Sequence, residues 1–462
     1  MARFILTVQW FFLLYFILQS AGYFLLDIIS AIHLRRYMRE RSLDRLRQSY
    51  WGLEPPISIL VPAYNEEATI EASIRSLLQL SYPEYEVIAI NDGSRDKTLE
   101  VLIRQFSLVP YPEPYPAHLP TKPIRAVYHS TLHFNLRVID KVKSGKADAL
   151  NAGINVSRYP LICSIDADSV LQRDSLHRVV QPFLENPSTV ASGGTVRVRN
   201  GCEVSGGFLT EVGLPRSLLA LFQVVEYLRA FLFGRMGWSP LNAMLVISGA
   251  FGLFDKETVV AVGGYRTDTL SEDMELVVRL HRQLRLQGKR YRITFVPDPI
   301  CWTEVPEDLK SLERQRVRWQ RGLSESLTMN FDLLCNRKAG TVGWLAFPFT
   351  VIFEWLSPLV HVAAYLLMPG LFFLGYISGQ AMAAFLVVEI GFGMVLSVSA
   401  LFLEEISFHV YPKPAHICIL FLAALAENFG YRQMHSFWRL IGLYHWASGA
   451  KAHWGEMPRK GY

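Results

Sequence analysis

The sequence predicts a layered α/β domain with a parallel sheet, carried between apolar segments long enough to cross a membrane. Three observations point there. Of 462 residues, 51% are hydrophobic, and the apolar excess sits at the two ends. The middle alternates short apolar runs with amphipathic stretches, the pattern of strands and helices in turn. Polar, acidic clusters follow several of the apolar runs, where an open sheet binds its ligands.

The first element is residues 4–26, FILTVQWFFLLYFILQSAGYFLL, which carry no formal charge. A helix needs about 20 apolar residues to cross a hydrocarbon core. The run is too long for a signal-peptide core, and no small-x-small cleavage site precedes the arginines, so residues 1–30 read as an anchor. Arg35, Arg36, Arg39, Arg41, Arg45 and Arg47 follow, which puts residues 31–54 in the cytosol by the positive-inside rule. This juxtamembrane stretch faces anionic lipid, so the net charge of +5 needs no nucleic acid to explain it. Five scattered cysteines (Cys163, Cys202, Cys301, Cys335 and Cys418), with no C-x-x-C spacing, argue against a disulfide framework and a zinc site.

Residues 55–339 form the layered α/β domain. ISILVPAY (57–64), YEVIAIND (85–92) and LICSIDAD (161–168) read as buried strands, and ATIEASIRSLLQL (68–80) as the helix behind the first. A Pro-rich interruption at 109–123 reads as a surface excursion outside both element types. Residues 218–238 and 310–327 are amphipathic and aromatic or basic, as interfacial helices are. From 340 to 431 the chain is apolar again, with three or four membrane-length or interfacial segments and two prolines, Pro358 and Pro369, breaking the first. Residues 432–462 are basic, which favours a cytosolic tail and an even number of crossings after the domain.

The chemistry lies at the strand ends. Pro62-Ala63-Tyr64-Asn65-Glu66-Glu67, Asn91-Asp92-Gly93-Ser94 and Asp166-Ala167-Asp168-Ser169 follow the three strands. In extended chain Asp166 and Asp168 face one way, so both carboxylates can meet one divalent cation, with a diphosphate supplying further oxygens. Such acids also cap helices, and a lone D-x-D is a weak signal.

Seven landmarks in order make the chain resemble the inverting GT-A glycosyltransferases that include cellulose, hyaluronan, chitin and poly-N-acetylglucosamine synthases. They are VPAYNEE, NDGS, GKADALNAG, DAD, SGAFGLF, SED and QRVRW, and the likeness covers about residues 55–330. It implies a cytosolic GT-A domain, embedded between transmembrane helices, in a protein of the inner (plasma) membrane. By position, Tyr64 and Asp92 would hold uracil, with Pro62, Ala63 and Glu66 lining the pocket. Lys146 would lie near the donor diphosphate, Asp166 beside the nucleotide, and Asp168 on a metal, Mg²⁺ or Mn²⁺.

Asp273, with Glu272 before it, matches the acids of the family's T-E-D motif, Ser271 replacing the threonine, and would be the general base. Gln315 and Arg318 would contact the diphosphate, and Trp319 would stack on the acceptor sugar. Ser248 and Gly249 resemble an acceptor-binding segment. Partners implied are a UDP-sugar donor, a growing glycan or a lipid acceptor, membrane lipids and a small membrane partner subunit. Cys301-Trp302 and Pro306-Glu307 are closer to poly-N-acetylglucosamine synthases than to cellulose synthases, which favours UDP-GlcNAc over UDP-glucose. The expected activity is elongation of a β-linked polysaccharide with translocation of the product. The alternatives are a single-addition transferase acting on a membrane lipid, and a non-enzymatic scaffold or transporter, which the intact Asp92, Asp168, Asp273 and Arg318 oppose.

Overall fold

A computed structural model describes residues 2–41 and 52–450. Arg45, Arg47 and the end of the basic tail, Lys451, Arg459 and Lys460, lie outside the described residues. The first helix runs Ala2–Arg41, continuing past residue 30 where the anchor was expected to end.

Among the described residues twelve strands follow: β1 (Ile57–Ala63), β2 (Tyr85–Asn91), β3 (Leu108–Pro110), β4 (Ile124–Ser130), β5 (Leu136–Lys141), β6 (Leu161–Ile165), β7 (Val170–Leu171), β8 (Thr189–Val198), β9 (Glu203–Ser205), β10 (Phe208–Glu211), β11 (Phe251–Asp255) and β12 (Arg292–Thr303). Ten of them form one sheet in the order β3-β4-β5-β2-β1-β6-β11-β8-β12-β7, and β9 and β10 pair as a separate hairpin.

The centre, β5-β2-β1-β6, is parallel as expected. β1, β2 and β6 are near-continuous apolar runs because both faces are covered, and β2 from Glu86 onward is buried. The sheet as a whole is mixed, however. β11 runs antiparallel between β6 and β8, and β4 and β7 pair antiparallel at the two sides. β11 carries the last four residues of the SGAFGLF segment, which gives no periodicity signal for direction.

The Pro-rich stretch is also corrected in part. Val109 and Pro110 belong to β3, an edge strand paired with His129 and Tyr128, a position where proline's missing N–H is tolerated.

Helix Lys146–Val156, built of small and apolar residues, packs against β1 and β2. Residues 218–238 are helical throughout, with a π-helical turn at Tyr227–Gly234. Helix Leu309–Met329 contains QRVRW and buries Gln315, Arg316 and Gln320.

Among the described residues three helices are long and apolar enough to cross a membrane: Arg3–Arg39, Val342–Phe373 and Gly379–Ser407. A bent pair, Pro414–Ala426 and Tyr431–Ala447, meets at 57° and would make a fourth. Phe12, Tyr15 and Phe16 of the first helix pack with Ala364, Met368, Phe385 and Val388, while Phe4, Trp10, Phe373, Leu374, Phe402 and Leu422 remain exposed. Large apolar side chains facing outward along whole helices are what a lipid solvent selects. The chain is a membrane protein.

Pro358 stands in the first turn of Ser357–Phe373, directly after a π-helical turn at Val351–Trp355, so it restarts a helix where proline is best accepted. Residues 432–447, expected as a tail, are instead an amphipathic helix. It buries Trp438 and Leu443 and sends Arg439 Nε to Gln320 Oε1 at 2.8 Å.

Candidate active site

The fifteen residues singled out from sequence line one cavity of about 2430 Å³. One end of it, beside Tyr64 and Asp92, is built from two laced loops. Asn65 takes a left-handed conformation, φ 56°, which Asn tolerates. Its N–H donates to Ser94 Oγ and its Oδ1 accepts from Arg95 N–H. Glu66 N–H donates to Thr98 Oγ1 at 2.8 Å, and Thr69 Oγ1 donates to the Glu66 carboxylate at 2.7 Å.

Asp92 is fixed from both oxygens. Oδ1 accepts from Lys141 Nζ (2.9 Å) and Ser144 N–H (3.0 Å), and Oδ2 from Gly145 N–H (2.7 Å). Lys141 also pairs with Asp148 at 2.8 Å. Lys143 Nζ lies 3.2 Å from the centre of the Tyr64 ring and covers one of its faces.

At the centre, Lys146 Nζ reaches Asp166 Oδ1 at 2.5 Å, Gly249 O at 3.1 Å and Glu272 Oε1 at 3.5 Å. Burial disfavours its charge, yet Asp166 and Glu272 outweigh burial and hold its pKa well above the ordinary lysine value. Burial pushes the Glu272 carboxyl up, against the pull of Lys146 and with the push of Asp273.

Asp273 Oδ2 accepts from Gly249 N–H at 2.8 Å. A Cβ on Gly249 would sit 2.9 Å from Lys146 Nζ and 3.2 Å from Asp273 Oδ2, so any larger residue there would have to displace them. Ser248 lines the cavity beside it. Asp166 and Asp168 do not lie in extended chain. β6 ends at Ile165, and Ser169 N–H donates to Asp166 O at 3.0 Å, so D-x-D forms a turn. Both acids nonetheless line the cavity. Turn formation wins because the two acids lie beyond the last ladder bonds of β6.

The QRVRW helix forms another wall. Gln315, Arg318 and Trp319 line the cavity, and the Gln315 Oε1 has no hydrogen-bond partner among the described residues. Arg316 also lines it, paired with Glu226 at 2.8 Å and lying 4.3 Å over the Trp319 ring. The helix is docked on the SED segment at two points. Gly322 faces Ser271 so closely that a Cβ would lie 2.0 Å from Ser271 Oγ. One turn on, Glu325 accepts from Leu270 N–H (2.8 Å) and Thr269 Oγ1 (3.1 Å), and is steadied by Arg321 (3.0 Å).

Sequence reasoning missed Lys141, Lys143, Arg316, Gly322 and Glu325 as site-building residues. For the first two the signal existed, a lysine run leading into GKADALNAG. For Gly322 and Glu325 there was none, since Ser271, Thr269 and Leu270, against which they dock, are more than fifty residues away in the chain.

A mixed sheet with strand-end acids, a D-x-D turn and an S-E-D acid pair around one cavity defines a GT-A-fold glycosyltransferase. The comparisons agree. The profile described as glycosyl transferase family group 2 matches residues 161–388, and that of glycosyl transferase family 2 matches residues 58–113. The poly-beta-1,6-N-acetyl-D-glucosamine synthase of Staphylococcus epidermidis is 30% identical over 71% of this chain and 67% of its own length. That of Staphylococcus aureus strain COL is 33% identical over 60% of this chain and 56% of its own. Among solved structures, the mannosyltransferase PcManGT of Pyrobaculum calidifontis, in complex with GDP-Man and Mn²⁺, superposes with a TM-score of 0.50 at 17% identity. That match covers 92% of this chain and 100% of the other, and it bears on the fold alone. The chain belongs to glycosyl transferase family 2, among its GT-A polysaccharide synthases.

Proposed function

We propose that the chain elongates a β-linked poly-N-acetylglucosamine from UDP-N-acetylglucosamine at the cytosolic face of the plasma membrane, and passes the product between its own helices. The observation that carries this reading is the extent of the cavity. It runs from Tyr64 and Asp92, past Asp166, Asp273 and Trp319, to Glu354, His361, Tyr365 and Glu389 among the C-terminal apolar helices. A polar-lined space at that depth suits a hydrophilic chain, and ionisable groups inside membrane segments mark substrate paths. The choice of sugar draws on the relatives' product. The orientation draws on Arg35, Arg36 and Arg39 at the end of the first helix.

In the reaction, the acceptor hydroxyl oxygen bonds to C1 of the donor sugar as the C1–phosphate oxygen bond breaks. UDP leaves with the electron pair, and the carboxylate of Asp273 takes the hydroxyl proton. Inversion follows from attack opposite the leaving group. Tyr64 and Asp92 hold the uracil, with Pro62, Ala63 and Glu66 closing the pocket, while Lys146, Gln315 and Arg318 hold the diphosphate. Glu272 keeps Lys146 in place and protonated. Asp168 and Asp166 are two hard oxygen donors in one turn, and the described residues hold no cluster of three or more metal-ligating side chains. This donor set fits a divalent cation that takes its remaining oxygens from diphosphate and water, as Mg²⁺ and Mn²⁺ do. When bound, the cation neutralises charge on the departing UDP.

The test is to give the purified protein labelled UDP-sugars with and without excess chelator, and to size the product. High-molecular-weight product from UDP-N-acetylglucosamine, lost with chelator, is expected. Lipid-sized, organic-extractable product alone would overturn the polymerase reading.

A further inference from the structure

One stretch of the cavity wall has no part in the assignments above. Tyr227, Phe231 and Arg235 lie at intervals of four in the helical residues 218–238, and all three line the cavity. The π-helical turn Tyr227–Gly234 carries the first two, and such turns recur at functional sites. The rings of Tyr227 and Phe231 are 4.3 Å apart, and Phe231 is 5.8 Å from Trp319. The Arg235 guanidinium sits 4.4 Å from the centre of the Phe231 ring. Elsewhere in the turn, Ser30 Oγ of the first helix donates to Phe233 O at 2.6 Å, which fixes the helix against the anchor.

Arg235 is only 7% exposed, and its Nη1 has no hydrogen-bond partner among the described residues. Burial lowers its pKa to about 10, the Asp273 carboxylate opposing, so it remains a cation at neutral pH. A buried cation with unmet donors is costly, and such a group is accounted for when a ligand completes it. The ligand must bring oxygens to the guanidinium and an apolar ring face to Phe231 and Trp319. The diphosphate has its own cations in Lys146 and Arg318, and Asp273, whose charge Arg235 feels, belongs to the acceptor side of the reaction. What combines an apolar face with hydrogen-bond acceptors is a sugar ring, and an acetamido carbonyl is its strongest neutral acceptor.

We propose that Arg235 is an acceptor-binding residue, donating hydrogen bonds to the acetamido and hydroxyl oxygens of the acceptor's N-acetylhexosamine while Phe231 and Trp319 take the ring face. The inference rests on the proposed function for the identity of the acceptor. It assigns acceptor recognition to the helix that precedes the SGAFGLF segment, alongside the QRVRW helix.

The experiment measures binding without turnover. Purified full-length protein in detergent is titrated with a short β-1,6-linked N-acetylglucosamine oligosaccharide, and separately with UDP, for wild type, Arg235→Gln and Arg235→Lys. Loss of a charged hydrogen bond is expected to weaken oligosaccharide binding about 10- to 100-fold in Arg235→Gln. UDP affinity should hold, and Arg235→Lys should recover part of the loss. The de-N-acetylated oligosaccharide should bind wild type poorly and discriminate little among the three proteins. Unchanged oligosaccharide affinity in Arg235→Gln overturns the proposal, as does loss of UDP affinity with oligosaccharide binding intact. So does a wild type that binds no oligosaccharide. If Arg235→Gln loses both ligands, Arg235→Lys decides: selective loss of oligosaccharide supports the proposal, and parallel loss refutes it. Wild type that binds the oligosaccharide but forms no polymer from UDP-N-acetylglucosamine would sink the polymerase reading alone.

Discussion

The Asp273 carboxylate is aimed by two backbone amides, the N–H of Gly249 to Oδ2 and that of Met274 to Oδ1, each at 2.8 Å, and the carbonyl of Gly249 takes Lys146. Gly249 therefore touches both the proposed base and the lysine proposed for the diphosphate, which Asp166 and Glu272 also hold. Asp273→Asn keeps the shape and an oxygen for Gly249 but cannot accept the acceptor's proton. Turnover should fall about 10²–10⁴-fold, the usual range for a general base, while UDP binding measured by calorimetry stays near wild type. Parallel loss of UDP binding would mean that Asp273 holds the nucleotide or the fold. Gly249→Ala tests the geometry instead. Its Cβ would push on both Lys146 and Asp273, and displacements of about 1 Å can cost roughly 10²-fold in rate. Turnover should drop by that order with the circular dichroism spectrum unchanged, and a fully active Gly249→Ala protein would contradict the arrangement.

Among the elements, the QRVRW helix links the acids to the membrane side, and its docking is what sequence hid. The motif residues were legible because each is contiguous in the chain and falls at a strand end or on one helix. Gly322 and Glu325 were not, because a glycine in a helix and a glutamate near an arginine are ordinary surface features until the SED loop is brought against them. The DAD geometry failed for a related reason: periodicity reports strands but not where a ladder stops, and β6 ends one residue before Asp166. The same limit hid the direction of β11, while the apolar runs of β1, β2 and β6 were plain because both faces are covered. Glu325→Gln keeps an acceptor for Leu270 N–H but weakens the charged bonds to Thr269 and Arg321, and Glu325→Ala removes them all. If this contact sets the helix against Asp273, Glu325→Ala should lower turnover about tenfold or more, with Glu325→Gln between it and wild type. Turnover assays on protein of matched thermal stability check this. Equal activity of all three would make the contact incidental.

At the scale of the whole molecule, the catalytic sheet and the apolar helices are joined by buried charge rather than by apolar contact alone. Arg197 on β8 donates to Glu404 of the Gly379–Ser407 helix at 2.7 Å, with both side chains almost fully buried. Phe408 lies 5.9 Å from the guanidinium. Taking two ions out of water is expensive, and the pair recovers that cost only while both partners are present. Removing one leaves the other buried and uncompensated, at about 3–5 kcal/mol. Arg197→Met should therefore lower the thermal midpoint of the detergent-purified protein sharply, and Glu404→Leu should do the same. The double variant, which leaves no stranded charge, should regain most of the loss, since replacing a buried ion pair with apolar residues is often neutral or better. Single losses that simply add in the double variant would show that the two residues are not coupled. Activity separates fastening from alignment. If the pair only fastens the sheet to the helices, the double variant should regain turnover along with stability. If it also fixes the line from the catalytic acids to the helix interior, stability should return while the product stays short, because apolar packing restores contact energy without restoring a directed hydrogen bond. Sizing the polymer made by the double variant against wild type distinguishes the two. Full-length product would assign Arg197 and Glu404 to stability alone.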